Sequence, residues 1–217
     1  MKKIYLVNEN KSQVLFEYSE ISELREEFES RSITIGKNAT IGDYATIGDL
    51  AIIGDYATIG DLAKIGYNVR IGDHAIIGSS ATIGDNATIG DYATIGKNAT
   101  IGDYATIGDL AKIGYNVRIG DHAIIGSSAT IGDNATIGVR AKIGEDIELK
   151  FNLYMIGSAH PVTYTGNNTL SIGCMNYTIE KWLKDFENIG INAAYNKNQI
   201  EEYKQYILIA QQFSKIK

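Results

Sequence analysis

From Ile35 to Glu148 apolar and polar positions follow one another with a period of six that never slips. Each unit reads Ile-Gly-x-x-Ala-x, as in Ile41-Gly42-Asp43-Tyr44-Ala45-Thr46, and nineteen units run without gap or insertion. Position one is Ile and position two Gly in all nineteen; position five is Ala except at Val69, Val117 and Ile147. In extended chain, positions five and one share a face and position six points the other way. Ala45 and Ile47 are therefore expected inside, with Thr46 in solvent. Asp, Asn, Lys and Ser at positions three and four are turn residues. The Gly is expected at the corner, where it tolerates backbone angles that a Cβ forbids. A fixed six-residue repeat of this kind predicts short strands stacked as a parallel β-helix, at about 4.8 Å per layer, around an Ile-filled core.

The flanks break the period. Lys3 to Val7 and Gln13 to Tyr18 are short apolar runs around Asn8-Glu9-Asn10-Lys11, which predicts a hairpin. Ser19 is placed to cap a helix to about Glu29, with Ile21, Leu24 and Phe28 on one face. Residues 1–34 thus form an N-terminal cap, because a solenoid end exposes strand edges that must be covered. Residues 35–149 are the array and 150–217 a C-terminal loop and helical module. There, Phe151 to Ile156 and Thr169 to Ile172 are short apolar runs around a polar loop, Ser158 to Asn168. Thr178 is expected to cap a helix carrying Ile179, Trp182, Leu183, Phe186 and Ile189, closed by Gly190. Asn198 with Glu201 forms a capping-box pattern for a last helix. Its apolar stripe, Ile200, Tyr203, Tyr206, Ile207, Ala210 and Phe213, is wide enough to touch both the solenoid end and another helix.

Charge narrows the partners. The net charge is −6, and residues 35–148 hold 14 acidic and 8 basic side chains against 12 of each elsewhere. The array carries the whole imbalance, through eleven corner Asp. An acidic body argues against binding nucleic-acid duplexes, which need a basic face. A single cysteine, Cys174, excludes an internal disulfide and suits a reducing compartment; it is expected to be small and buried. No stretch approaches a membrane span, and the apolar run after Met1-Lys2-Lys3 is too short for a signal peptide. A cytoplasmic protein that avoids membranes is expected.

The uninterrupted Ile-Gly-x-x-Ala-x array resembles the hexapeptide-repeat proteins of the acyltransferase superfamily. That resemblance implies a left-handed parallel β-helix with three hexads per coil, about six coils, and a homotrimer. With three hexads per coil, residues 53–90 and their letter-for-letter copy 101–138 fall on different faces. His74 would sit between Tyr56 and Tyr92, and its copy His122 between Tyr104 and Arg140. Two histidines without one shared geometry read as exposed turn residues. One outer face would run Thr40, Thr58, Ile76, Thr94, Lys112, Thr130, Glu148, too mixed for a regular threonine surface, so its Thr are β-branched strand residues. The corner column Asp55, Asp73, Asp91, Asp109 suggests either a cation such as Ca²⁺ or a solvated, mildly repulsive edge; the latter is preferred, and no metal is expected.

Candidate chemistry lies in two places. Lys64, Tyr67 and Arg70, and their copies Lys112, Tyr115 and Arg118, each bring a cation pair and an aromatic within seven residues. Such groups suit an anion, with Tyr stacking and Arg forking. Ser158-Ala159-His160-Pro161 is similar to the loop of the galactoside and maltose acetyltransferase type, whose His before Pro acts as general base toward acetyl-CoA. The tail, with Thr163-Tyr164, Ile172-Gly173-Cys174, Thr178 to Trp182 and Glu202-Tyr203, resembles a family of phage and prophage repeat proteins. The expected function is therefore a non-catalytic phage-type protein that binds or sequesters a ligand, either an anionic small molecule, a nucleotide signal or a host factor, without a cofactor. The alternatives are an acetyl-CoA-dependent O- or N-acyltransferase using His160, and a structural spacer.

Overall fold

The computed structural model describes residues 1–150 and 152–215. Within the array every third unit pairs in parallel and in register. Thr58–Ile59, for example, lies between Thr40–Ile41 and Ile76–Ile77. Three sheets of eight, seven and seven strands, parallel throughout except for one antiparallel edge strand of the first, enclose the core in about six turns. The second of these carries the outer row expected from Thr40 to Glu148. Ala45, Ile47, Ile77 and Ile107 are fully buried, while position six points out on every face. The inward assignment of the hexad therefore holds.

The corner works differently from expectation. The left-handed residue is position four in all nineteen units, whether Tyr44 (φ 56°), Leu62 (φ 59°) or His74 (φ 58°), and no array glycine has positive φ. Side chains other than Gly and Asn resist that region, so the regular stacking of coils imposes it. The glycine is needed for close approach instead. A Cβ on Gly54 would lie 2.6 Å from the Asp73 nitrogen and 2.6 Å from the Gly72 carbonyl carbon in the next coil.

The Asp columns are also better tied than a repulsive solvated edge. Asp55 N–H donates to Asp73 Oδ1 at 2.7 Å, Asp73 N–H to Asp91 Oδ1 at 2.9 Å and Asp91 N–H to Asp109 Oδ1 at 3.0 Å. Each carboxylate thus closes a backbone donor of the coil before it. Among the described residues no cluster of three or more His, Cys, Asp or Glu side chains is arranged to hold a metal ion.

The N-terminal hairpin joins strands Lys2–Val7 and Gln13–Tyr18. The first strand pairs in parallel with Ala45–Gly48, placing Ile4 opposite Ala45 and Leu6 opposite Ile47. The hairpin thus prolongs the buried row below the array. A 3₁₀ turn, Ile21–Leu24, leads into helix α1, Arg25–Ser30, and buries Leu24 and Phe28. The cap is Glu20 and not Ser19. Glu20 N–H donates to Glu23 Oε1 at 3.0 Å, and the Glu23 N–H donates to the Glu20 carbonyl at 3.0 Å.

At the far end the polar loop expected at 158–168 contains a strand. Tyr154–Ile156, Pro161–Gly166, Thr169–Ile172 and Met175–Thr178 form an antiparallel sheet. Pro161 sits at the first position of its strand, where its missing N–H does least harm, and Thr163 and Thr165 are buried. Thr165 bonds Thr169 and Asn176 within the small sheet, while Thr163 and Asn176 serve the solenoid. Gly138 N–H donates to Thr163 Oγ1 at 3.0 Å, and Asn176 Nδ2 donates to the Lys142 carbonyl at 3.0 Å, where a further coil would otherwise bond. Phe151, expected to begin the preceding apolar run, lies outside the described residues.

Helix α2, Ile179–Asn192, is capped by Thr178, which accepts the Lys181 N–H. It runs through Gly190, whose missing Cβ admits Ile200 of helix α3: a Cβ there would lie 2.7 Å from Ile200 Cγ1. Helix α3, Lys197–Phe213, has its capping box at Asn196 and Gln199, two residues before the expected Asn198 and Glu201. Tyr203, Ile207 and Ala210 are buried with Val162, Leu170, Ile172 and Trp182. The wide stripe of α3 therefore covers the small sheet and α2, and it is the sheet that meets the solenoid end.

Candidate functional site

His160 lies in the bend between strands Tyr154–Ile156 and Pro161–Gly166, with its side chain exposed. Helix α3 fixes the backbone around it. Ser158 N–H donates to Glu202 Oε1 at 2.9 Å, and Ser158 Oγ donates to Glu202 Oε2. The Tyr203 hydroxyl accepts the N–H groups of Ala159 and His160, at 3.0 and 2.6 Å, and donates to the His160 carbonyl at 2.9 Å. One phenol thus uses both lone pairs and its proton on the same short segment. Gly157 permits the approach, since a Cβ there would sit 2.5 Å from the Tyr203 oxygen. The Tyr206 hydroxyl donates to Glu202 Oε1 at 3.0 Å. The Ser158 hydroxyl, with the Ser158 N–H and Tyr206, outweighs partial burial and holds the Glu202 carboxyl below its ordinary value.

The imidazole lies over Gly173, where a Cβ would come within 3.0 Å of His160 Cγ; φ of +58° at Gly173 also favours glycine. Tyr195 flanks the imidazole, with ring centroids 5.8 Å apart and planes tilted by 40°. Tyr195 stacks in turn on Tyr203 at 5.0 Å. Burial, and then the nearby Tyr203 and Cys174, push the Tyr195 hydroxyl up to about 12, and its oxygen is buried without a hydrogen-bond partner among the described residues. A cleft of about 620 Å³ lined by Phe186, Ile191, Tyr195, Lys197 and Ile200 runs between α2 and α3. Cys174 is exposed and not buried as expected, because the turn at Gly173 carries it out of the sheet. Glu202, Tyr203 and Tyr195 were missed as site residues. The helical stripe marked Tyr203 for packing but gave no sign that its hydroxyl reaches a loop 43 residues away.

The two Lys-Tyr-Arg groups do not converge on one face. Lys64 stands on the outer face of the eight-stranded sheet and Arg70 on the sheet that begins at Thr34–Ile35, with Tyr67 at the corner between them. Lys112 and Arg118 likewise stand on different sheets, with Tyr115 at their corner. Lys64 and Arg118 share a sheet but are separated by the strands of Thr82 and Thr100, roughly 14 Å at the usual strand spacing. His74 stacks between Tyr56 and Tyr92 at 4.9 and 4.7 Å, and His122 on Tyr104 at 5.0 Å, as the three-hexad coil predicts.

Two family descriptions match the array. Bacterial transferase hexapeptide (six repeats) covers residues 50–85, 80–114 and 98–132, and the hexapeptide repeat of succinyl-transferase covers 128–148. No curated protein matches the sequence. Among solved structures, a putative acetyltransferase from Bacillus cereus aligns over 99% of this chain and 98% of its own, at 18% identity and a TM-score of 0.52. A UDP-N-acetylglucosamine acyltransferase from Campylobacter jejuni aligns over 81% of this chain and 79% of its own, at 23% identity and a TM-score of 0.46. These findings give the phage-type layout and the sequestering role no support. No helix among the described residues is long and apolar enough to cross a membrane. Over residues 50–148 the array resembles the hexapeptide-repeat proteins that these two descriptions name, and its fold is that of the aligned Bacillus cereus structure.

Proposed function

We propose that this protein transfers an acyl group from an acyl-CoA thioester to a hydroxyl or amine acceptor, with His160 as general base. The observation that carries the reading is the exposed imidazole on a segment whose backbone is held to α3 by the Glu202 carboxylate and the Tyr203 hydroxyl. A general base acts only if it is held within hydrogen-bond reach of the proton it removes, and a loop tied in this way keeps that position between turnovers. Imidazole is the side chain most often used for such transfers near neutrality.

The chemistry balances without a further reactant. His160 takes the proton of the acceptor O–H or N–H as the heteroatom attacks the thioester carbonyl. A C–O or C–N bond forms, the tetrahedral intermediate collapses, the C–S bond breaks, and the imidazolium returns its proton to the departing CoA sulfur. In the homotrimer that the family resemblance implies, a neighbouring subunit would complete the groove for CoA.

The test is release of free CoA thiol from acetyl-CoA in the presence of pooled amine and hydroxyl acceptors. His160→Ala should lower the rate by about a hundredfold or more, the usual weight of a general base, and leave acetyl-CoA affinity unchanged. Equal rates in the two proteins would refute the role given to His160.

A further inference from the structure

The exact internal copy supplies a comparison within one molecule. Lys64 and Tyr67 recur as Lys112 and Tyr115 in identical local sequence, yet only the first pair borders the hairpin: Lys64 stays exposed, as Lys112 is, while Tyr67 is partly covered. The tip of the N-terminal hairpin leans over the outer row Thr46, Lys64, Thr82 of three successive coils. Lys11 anchors it, with Nζ 2.6 Å from Asp85 Oδ2, 74 residues away. A cavity of about 320 Å³ remains beneath. Tyr67 is half-buried there, whereas Tyr115 is 47% exposed on an open corner.

The lining selects a chemical class. Two ammonium groups, Lys11 and Lys64, are matched by two carboxylates, Asp85 and Asp103, so neither an anion nor a cation is favoured as a whole. Asn8 and Gln13 of the hairpin each offer a donor and an acceptor, and Tyr67 adds an apolar ring with a polar tip. Donors and acceptors interleaved around one aromatic fit a molecule whose every polar group both donates and accepts. A ring bearing several hydroxyls is such a molecule, and the cavity lies at the lower end of small-ligand sites. We propose that the groove beneath the N-terminal hairpin binds a monosaccharide, with Lys64 and Asp85 hydrogen-bonding its hydroxyls and Tyr67 against its ring. The groove lies on early coils and His160 lies past the last one, so sugar binding and acyl transfer stand or fall separately.

Saturation-transfer NMR on the full chain, with a panel of free hexoses and N-acetylhexosamines, tests this. At least one sugar should receive saturation from the wild type. Its affinity should fall about tenfold in Lys64→Ala, the loss expected for a hydrogen bond to a charged group, and stay unchanged in Lys112→Ala, which alters the same sequence away from the hairpin. Lys11→Ala, which frees the hairpin tip, should weaken binding as well. No signal from any sugar, equal losses in Lys64→Ala and Lys112→Ala, or displacement of the sugar by millimolar inorganic phosphate would each overturn the proposal, the last by marking an anion site.

Discussion

Tyr203→Phe removes one oxygen atom and leaves an aromatic ring in the packed module, so it isolates the clamp on the His160 segment. That oxygen serves two N–H donors and one carbonyl. At about 0.5–1.5 kcal/mol net for each hydrogen bond, its loss destabilises the closed segment by roughly 1–3 kcal/mol, because these partly exposed groups regain some bonding to water. Glu202 keeps its two bonds to Ser158, so the segment loosens without detaching. With tenfold for each 1.4 kcal/mol, amide hydrogen exchange at Ala159 and His160 should accelerate by about 5- to 150-fold. Exchange in the array should stay as it was, since opening here is local. The catalytic rate constant should fall while acyl-CoA affinity holds, because Tyr203 acts through His160. Unchanged exchange at both amides would refute the clamp, and acceleration spread over all of α3 would show a packing defect in its place.

The other predictions concern the coil and its edge. Gly54→Ala should cost about 1–3 kcal/mol, as overpacking does, because its Cβ would meet the Asp73 and Gly72 backbone; Gly144→Ala should stay within about 0.5 kcal/mol, since its Cβ meets only Ile147 Cγ1 at 3.5 Å. Equal losses in thermal melts would restore the backbone-angle explanation. Deleting the coil 83–100 should leave a folded protein with β-type circular dichroism, because solenoid stability is nearly a sum over layers, whereas deleting the hexad 83–88 alone moves every later unit to a wrong face; comparable melting temperatures would contradict the coil. For Asp85, partial burial raises the carboxyl but the Lys11 ammonium and Tyr67 N–H outweigh it and hold it below its ordinary value. Its stabilising effect is therefore present above the unfolded aspartate value and is lost as pH falls through the folded one. Hairpin amides should exchange faster in Asp85→Asn than in wild type near neutrality, and the two should converge only in acid; a difference that persists there would refute the linkage.

Where one chemical choice is repeated nineteen times, the structure was legible. Ile and Ala at alternating strand positions have a single way to share a core, and the three-hexad coil that the resemblance implies then located Tyr56, His74 and Tyr92 in one column. Thr178 was found because its helix starts at an abrupt change of pattern. Misjudged positions depend on neighbours distant in sequence. Position-two glycines look like turn glycines locally, and only the next coil, eighteen residues on, reveals the contact that demands them. Pro161 to Gly166 reads as loop because its threonines are polar, and the burial of Thr163 makes sense only once the last coil needs a partner for the Gly138 N–H. Glu20 and Asn196 displaced Ser19 and Asn198 as caps because each cap competes with others nearby on small energy differences. His160 could be singled out by residue type, but nothing in the helical stripe of α3 says that Tyr203 and Glu202 meet its loop.

The central claim is acyl transfer through His160, and the most direct measurement follows the acyl group itself. Wild type and His160→Ala, each folded by circular dichroism, are incubated with isotopically labelled acetyl-CoA and a pool of hydroxyl and amine acceptors, and the label is traced by mass spectrometry. The label should appear in an acceptor with wild type and be reduced about a hundredfold or more with His160→Ala. Acetyl-CoA left intact by wild type, or transfer undiminished in His160→Ala, would contradict the account.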